Sequence, residues 1–174
     1  MKKNVFTYLI AASSVFAINN ALAADGTIDF TGEITDQACE LSAGSDALKV
    51  NLGKVSKTAL SGAGDTAAAT RFTIKLINCP KAVTTASVKF DADSYLNDSQ
   101  VIKLKDEPGV ATGVGIQITD DANAVVPLYT ASKAYPLKDG VVNNLDFKAH
   151  YIAKSDAVTV GPANGNATFT INYN

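Results

Sequence analysis

Apolar and polar positions alternate with a period of two along most of this chain. Leu48 to Leu52, Arg71 to Ile77, Ser87 to Phe90, Val101 to Leu104, Val114 to Ile118 and Leu145 to Ile152 all follow it. That is the pattern of a β-strand with one buried face. Thr27 to Thr31 near the front and Ala167 to Tyr173 at the end follow it too. Turn-rich pieces such as Ser42 to Asp46, Ser61 to Asp65, Pro108-Gly109, Asp120 to Asn123, Lys138 to Gly140 and Gly161-Pro162 lie between them. Many short strands separated by turn residues predict an all-β sandwich or barrel. Thr66 to Thr70 (TAAAT) reads as a helix-friendly patch, too short to nucleate a helix alone.

The two terminal segments pose a physical problem, because chain ends fray unless something ties them down. In residues 24–35, Ile28, Phe30 and Ile34 share one face with Gly32 between them, and Thr27, Asp29, Thr31, Glu33 and Thr35 take the other. Glycine weakens a strand interior and often marks the close approach of another backbone. At the far end Ala167, Phe169, Ile171 and Tyr173 alternate with Thr168, Thr170 and Asn172.

The front of the chain sets the compartment. Met1-Lys2-Lys3, an apolar stretch from Val5 to Ile18 and Ala21-Leu22-Ala23 form the three-part pattern of a secretory signal peptide cleaved after Ala23. The apolar run stops at Asn19-Asn20, short of the ~20 residues a membrane span needs. Removing 23 residues from 174 leaves 151, the size of one domain. Lys2 and Lys3 leave with the signal, so 13 basic side chains face 17 acidic ones, net −4. A mildly acidic surface of this kind offers little to nucleic acid. Two cysteines in an exported chain, Cys39 and Cys79, read as one disulfide. Two thiols and the lone His150 do not make a zinc pattern.

Five stretches carry a family resemblance: Gly26 to Leu41 (GTIDFTGEITDQACEL), Leu52 to Leu60 (LGKVSKTAL), Arg71 to Cys79 (RFTIKLINC), Gly113 to Asp120 (GVGIQITD) and Ala163 to Asn174 (ANGNATFTINYN). Gly161 stands fourteenth from the end, Tyr173 next to last, and Gly32 seven residues before Cys39. In these features the chain resembles the major pilins of type 1-like fimbriae, which are assembled by the chaperone–usher route. The resemblance implies an incomplete immunoglobulin-like sandwich lacking its seventh strand, completed by a donor strand from a neighbouring subunit. It implies a signal peptide over 1–23, a donor extension over 24–35 and a pilin domain over 36–174. Gly26, Ile28, Phe30, Gly32 and Ile34 would form the donor strand. Gly161, Ala167, Phe169, Ile171 and Tyr173 would belong to the acceptor-groove and chaperone-binding C-terminal segment. The implied partners are copies of itself, a periplasmic chaperone, an outer-membrane usher and a tip adhesin or adaptor subunit. The implied location is a fimbrium on the cell surface, reached through the periplasm. Only Ala24 to Thr27 precede Ile28, a short lead that leaves the outermost pocket to Gly26, Ala24 or nothing.

Other function classes fare worse. A catalytic His150 would need a serine or thiol partner, and both thiols are committed to the bridge. Its alternating run reads as a strand with His150 on the surface beside Asp146, Lys148 and Ile152. Asp120-Asp121 reads as a hairpin turn. No phosphate loop or metal-ligand spacing is present, and no cofactor or catalytic residue is expected. The alternative is a minor or adaptor subunit, or a ligand-binding fimbrial module. The 151 residues leave no room for a separate receptor domain, and the absence of Trp removes a common sugar-stacking residue.

Overall fold

The computed structural model describes residues 26–32, 34 and 38–174. The signal-peptide segment lies outside the described residues. The chain divides into two units, Met1–Ile34 and Thr35–Asn174. In the first, the described residues form no β-ladder, although their alternation predicts a strand. Ile28 and Phe30 are 79% and 92% exposed, and Ile34 is fully exposed. A strand pattern becomes a strand only when a partner takes its N–H and C=O groups.

The second unit contains nine strands: β1 (Glu40–Leu41), β2 (Thr66–Ile77), β3 (Thr85–Asp91), β4 (Ser94–Tyr95), β5 (Asp98–Ile102), β6 (Val114–Asp120), β7 (Tyr135–Pro136), β8 (Asn143–Ala153) and β9 (Thr168–Tyr173). One 3₁₀ turn spans Lys57–Leu60, capped by Ser56. Six strands form a sheet in the order β1-β2-β8-β6-β5-β4, and three form a second in the order β7-β3-β9. All pairings are antiparallel. The alternating inner faces meet in one core, which includes Ile74 and Leu76 of β2, Val88 and Phe90 of β3, and Leu145 and Phe147 of β8. Phe147 is its hub, with ring centres 5.6 Å from Phe72, 5.1 Å from Phe90 and 5.5 Å from Tyr135. Edge-to-face and offset aromatic pairs at such spacings add about 0.5–1.5 kcal/mol beyond burial.

Three expectations are corrected. Thr66 to Thr70 is the start of β2, not helix-like: Thr66, Ala67 and Thr70 pair with Ile152, Tyr151 and Ala149 of β8 across a bulge. Ladder pairing overrides the local preference of three alanines, and the bulge puts Ala68 at φ 61°. Leu48 to Leu52 forms no ladder, for a reason its place in the groove makes clear below. His150 is buried at 9% exposure. It stands opposite Gln117 of β6, with 3.2 Å between Nε2 and Gln117 Oε1. The Asp120-Asp121 turn is a hairpin, closed by Asn123 N–H donating to the Asp120 carbonyl and by a Thr119–Val125 bridge.

Burial lowers the His150 pKa below its ordinary value. The unfolded chain therefore binds this proton at higher pH than the folded one. Stability from the neutral ring is complete above about pH 6.5 and is lost as pH falls from there towards the lower folded pKa. Urea titrations between pH 7.5 and 5 should show this loss, and His150→Gln should remove its share of the slope. An unchanged slope in that variant would assign the pH dependence elsewhere.

Cys39 and Cys79 form a disulfide closing 40 residues of sequence separation. It ties the start of β1 to the end of β2, so loss of the bridge frees the first strand of the domain. Reduction, or Cys39→Ser with Cys79→Ser, is expected to cost about 2–5 kcal/mol. Thermal unfolding with and without reductant checks it, and coincident curves would contradict it.

Candidate functional site: an apolar groove beside β9

β9 pairs with β3 along one edge, with Phe169 opposite Phe90, Ile171 opposite Val88 and Tyr173 opposite Ala86. Its other edge has no ladder partner among the described residues. Phe169, Ile171 and Tyr173 are half-buried and pack on the core, while Thr168, Thr170 and Asn172 point out. An edge with unpaired N–H and C=O groups beside apolar side chains is a template for another strand.

A cleft of about 560 Å³ opens along that edge. One wall is the stretch from Leu41 to Leu52, which contributes Leu41, Leu48, Val50 and Leu52. The opposite wall is the segment from Gly165 to Phe169, and the floor includes Phe72, Phe90, Ile102, Ile116, Ile118 and Ala149. Leu48 to Leu52 keeps its strand-like alternation but borders open space where a neighbouring strand would lie. That is why it has the pattern without the ladder.

The two ends of the cleft differ. At the C-terminal end of β9, Tyr173 Oη donates to the Cys39 carbonyl at 3.2 Å, drawing the strand against the start of β1. Burial raises the Tyr173 pKa. The Asn174 carbonyl accepts from Thr84 and Thr85 N–H, each at 2.9 Å. At the other end, residues 159–165 are held by hydrogen bonds to neighbouring segments. Ala111 N–H donates to the Pro162 carbonyl at 2.9 Å and Lys105 N–H to the Asn164 carbonyl at 2.8 Å. Tyr151 Oη donates to the Ala163 carbonyl at 2.9 Å. A Cβ on Gly165 would sit 2.8 Å from Ile116 Cδ1, so the backbone lies directly on the groove floor.

The residues singled out in the sequence fall at different places. Ala167 and Phe169 line the cleft. Ile171 and Tyr173 continue the same face of β9 towards its closed end. Gly161 lies outside the lining, and a Cβ there would overlap Gly109 O and stand 2.8 Å from Ala111 N. Gly26, Ile28, Phe30, Gly32 and Ile34 belong to the first unit. Sequence reasoning did not find Leu41, Phe72, Ile102 and Ile116 as groove residues. Their alternation marks them as core-facing, but nothing local says that the core is open above them.

A family model described as fimbrial protein matches residues 28–174. The chain belongs to that family. Long polar fimbria protein A of Salmonella typhimurium (strain LT2) is 37% identical to this fimbrial chain over 177 residues, covering 99% of this chain and 97% of that protein. A probable major fimbrial subunit, LpfA, of Escherichia coli O157:H7 is 36% identical over 174 residues, with 99% and 97% covered. Among solved structures, the P pilus rod subunit PapA superposes with a TM-score of 0.66 at 26% identity, covering 78% of this chain and 99% of that one. The fimbrial subunit is thus an immunoglobulin-like sandwich left incomplete beside β9, and its family is one of structural subunits.

Proposed function

We propose that this protein forms the rod of a surface fimbria, each copy inserting residues 24–35 into the groove of another. The observation that carries this is the open apolar edge of β9 in a chain that also has an exposed, alternating apolar extension. Addition of a strand to a sheet edge is a general recognition mode, and donor-strand complementation between chaperones and pilins is itself a known instance of it. The incoming main chain completes the ladder, and Ile28, Phe30 and Ile34 fill the cleft. Full burial of these three contributes about 5–9 kcal/mol.

In this reading residues 1–23 are removed on export, residues 24–35 are the donor and residues 36–174 the receiving domain. In the periplasm the groove is covered by a chaperone strand, and an outer-membrane usher exchanges that strand for the next copy. A tip adhesin or adaptor subunit ends the fibre. No step is catalytic.

Phe169→Ser with Tyr173→Ser is the test. Large-to-small changes at packed aromatic positions cost about 3–5 kcal/mol each when fully buried. These side chains are half-buried and gain cover only from the inserted strand, so capture of the subunit and surface fibres should both fall. Thr170→Ser, on the outward face, should leave the yield of sheared fibres unchanged. Wild-type yield from the double variant would refute the proposal.

A further inference from the structure

Past the leader, the net charge of the chain resides in its first fifteen residues. Asp25, Asp29, Glu33 and Asp36 stand between Ala24 and Ala38 without a single Lys or Arg, whereas residues 39–174 carry 13 basic and 13 acidic side chains. The extension is therefore an acidic segment attached to a neutral domain.

One end of the groove places two lysines, beside two aspartates, at its mouth. The Tyr173 end holds Cys39, where the chain runs into its own domain. At the opposite end Asn166 lines both the groove and an adjoining polar cleft of about 490 Å³, bordered also by Asp93, Lys103, Lys105, Asp106 and Tyr129. Lys103 Nζ is 2.8 Å from Asp106. Lys105 is exposed and has no ion-pair partner among the described residues. In a head-to-tail fibre the Tyr173 end is taken by the recipient's own departing chain. The body of the incoming copy must then sit at the cleft end, and the residues joining its donor strand to its body must cross the cleft.

We infer that the cleft is a docking site for a second copy of this chain, with Lys105, assisted by Lys103, receiving the acidic stretch Glu33 to Asp36 as it leaves the groove. This rests on the strand-exchange reading above. Both lysines are exposed, so the attraction acts mainly on the rate of encounter and is screened by salt.

The test follows polymer growth of the mature chain, residues 24–174, by light scattering after dilution from denaturant. The wild type should polymerise about five- to tenfold faster in about 20 mM than in about 500 mM sodium chloride. Lys103→Glu with Lys105→Glu should remove that advantage, and adding Glu33→Lys and Asp36→Lys to the same chain should restore it. Lys103→Gln with Lys105→Gln, which leaves the side chains near their original length, should give an intermediate rate. Equal rates for all variants, or no recovery on charge reversal, would overturn the docking assignment while leaving strand exchange standing. Polymer growth at the wild-type rate by a chain that lacks residues 24–35 would instead overturn strand exchange itself.

Discussion

Gly161→Ala is expected to lose most of the folded subunit, although it adds a single methyl group. The new Cβ would overlap Gly109 O and lie 2.8 Å from Ala111 N and 3.0 Å from Val110 C. All three are backbone atoms, so no side chain can rotate away. The strand of chain around Gly161 is held to residues 109–112 by Ala111 N–H on the Pro162 carbonyl at 2.9 Å and Thr159 N–H on the Thr112 carbonyl at 3.1 Å. Thr112 N–H also donates to Thr159 Oγ1 at 2.8 Å. Making room for the methyl separates these two segments. Overpacking and the loss of two backbone hydrogen bonds together cost about 2–5 kcal/mol, a large part of the ~5–15 kcal/mol a domain has. The damage spreads into function, because residues 163–167 continue from this clamp into the mouth of the groove. Thermal unfolding and the yield of folded subunit check the expectation. Gly62→Ala is the control, since its Cβ would meet only the Asp65 side chain, at 3.6 Å. Wild-type stability for Gly161→Ala would show that the backbone here yields freely.

Much of the sandwich is legible because its strands are antiparallel with one face inward, so alternation reports them directly. Arg71 to Ile77, Ser87 to Phe90 and Val114 to Ile118 lie within β2, β3 and β6. The two-residue strands β1, β4 and β7 are too short to carry a period. Thr66 to Thr70 misleads because alanine favours helix locally, whereas its strand pairing is fixed by β8 about eighty residues away. His150 misleads in another way. Its outward position follows from alternation, but its burial depends on Gln117 across the sheet. The groove was legible only in halves. Leu48 to Leu52 and Phe169 to Tyr173 announce apolar faces, yet only the fold brings residue 48 beside residue 167 with nothing between them. Gly161 stands out in the sequence by its place near the end, while the reason for it, a backbone crossing against residues 109–111, is purely three-dimensional.

Gly32→Leu is expected to do the reverse of Gly161→Ala, leaving the subunit intact and removing the fibre. A Cβ built on Gly32 meets nothing within 4 Å, so the chain that carries the substitution has room for it. On the strand-exchange reading the same position, once inserted in another copy, lies between Phe30 and Ile34 on the face pressed against the groove floor. There a leucine overpacks the recipient by about 1–3 kcal/mol and lifts the neighbouring Phe30 and Ile34 out of contact. The cost recurs at every joint of the polymer. On that reading, subunit held by a chaperone in the periplasm should therefore accumulate at the wild-type level while sheared surface fibres disappear. A glycine that only weakened an internal strand would behave otherwise: Gly32→Ala would be neutral or slightly stabilising, and Gly32→Leu would spare the fibre. Normal fibre from Gly32→Leu would remove this residue from the inserted face. Loss of the subunit together with the fibre would place the role of Gly32 within its own domain.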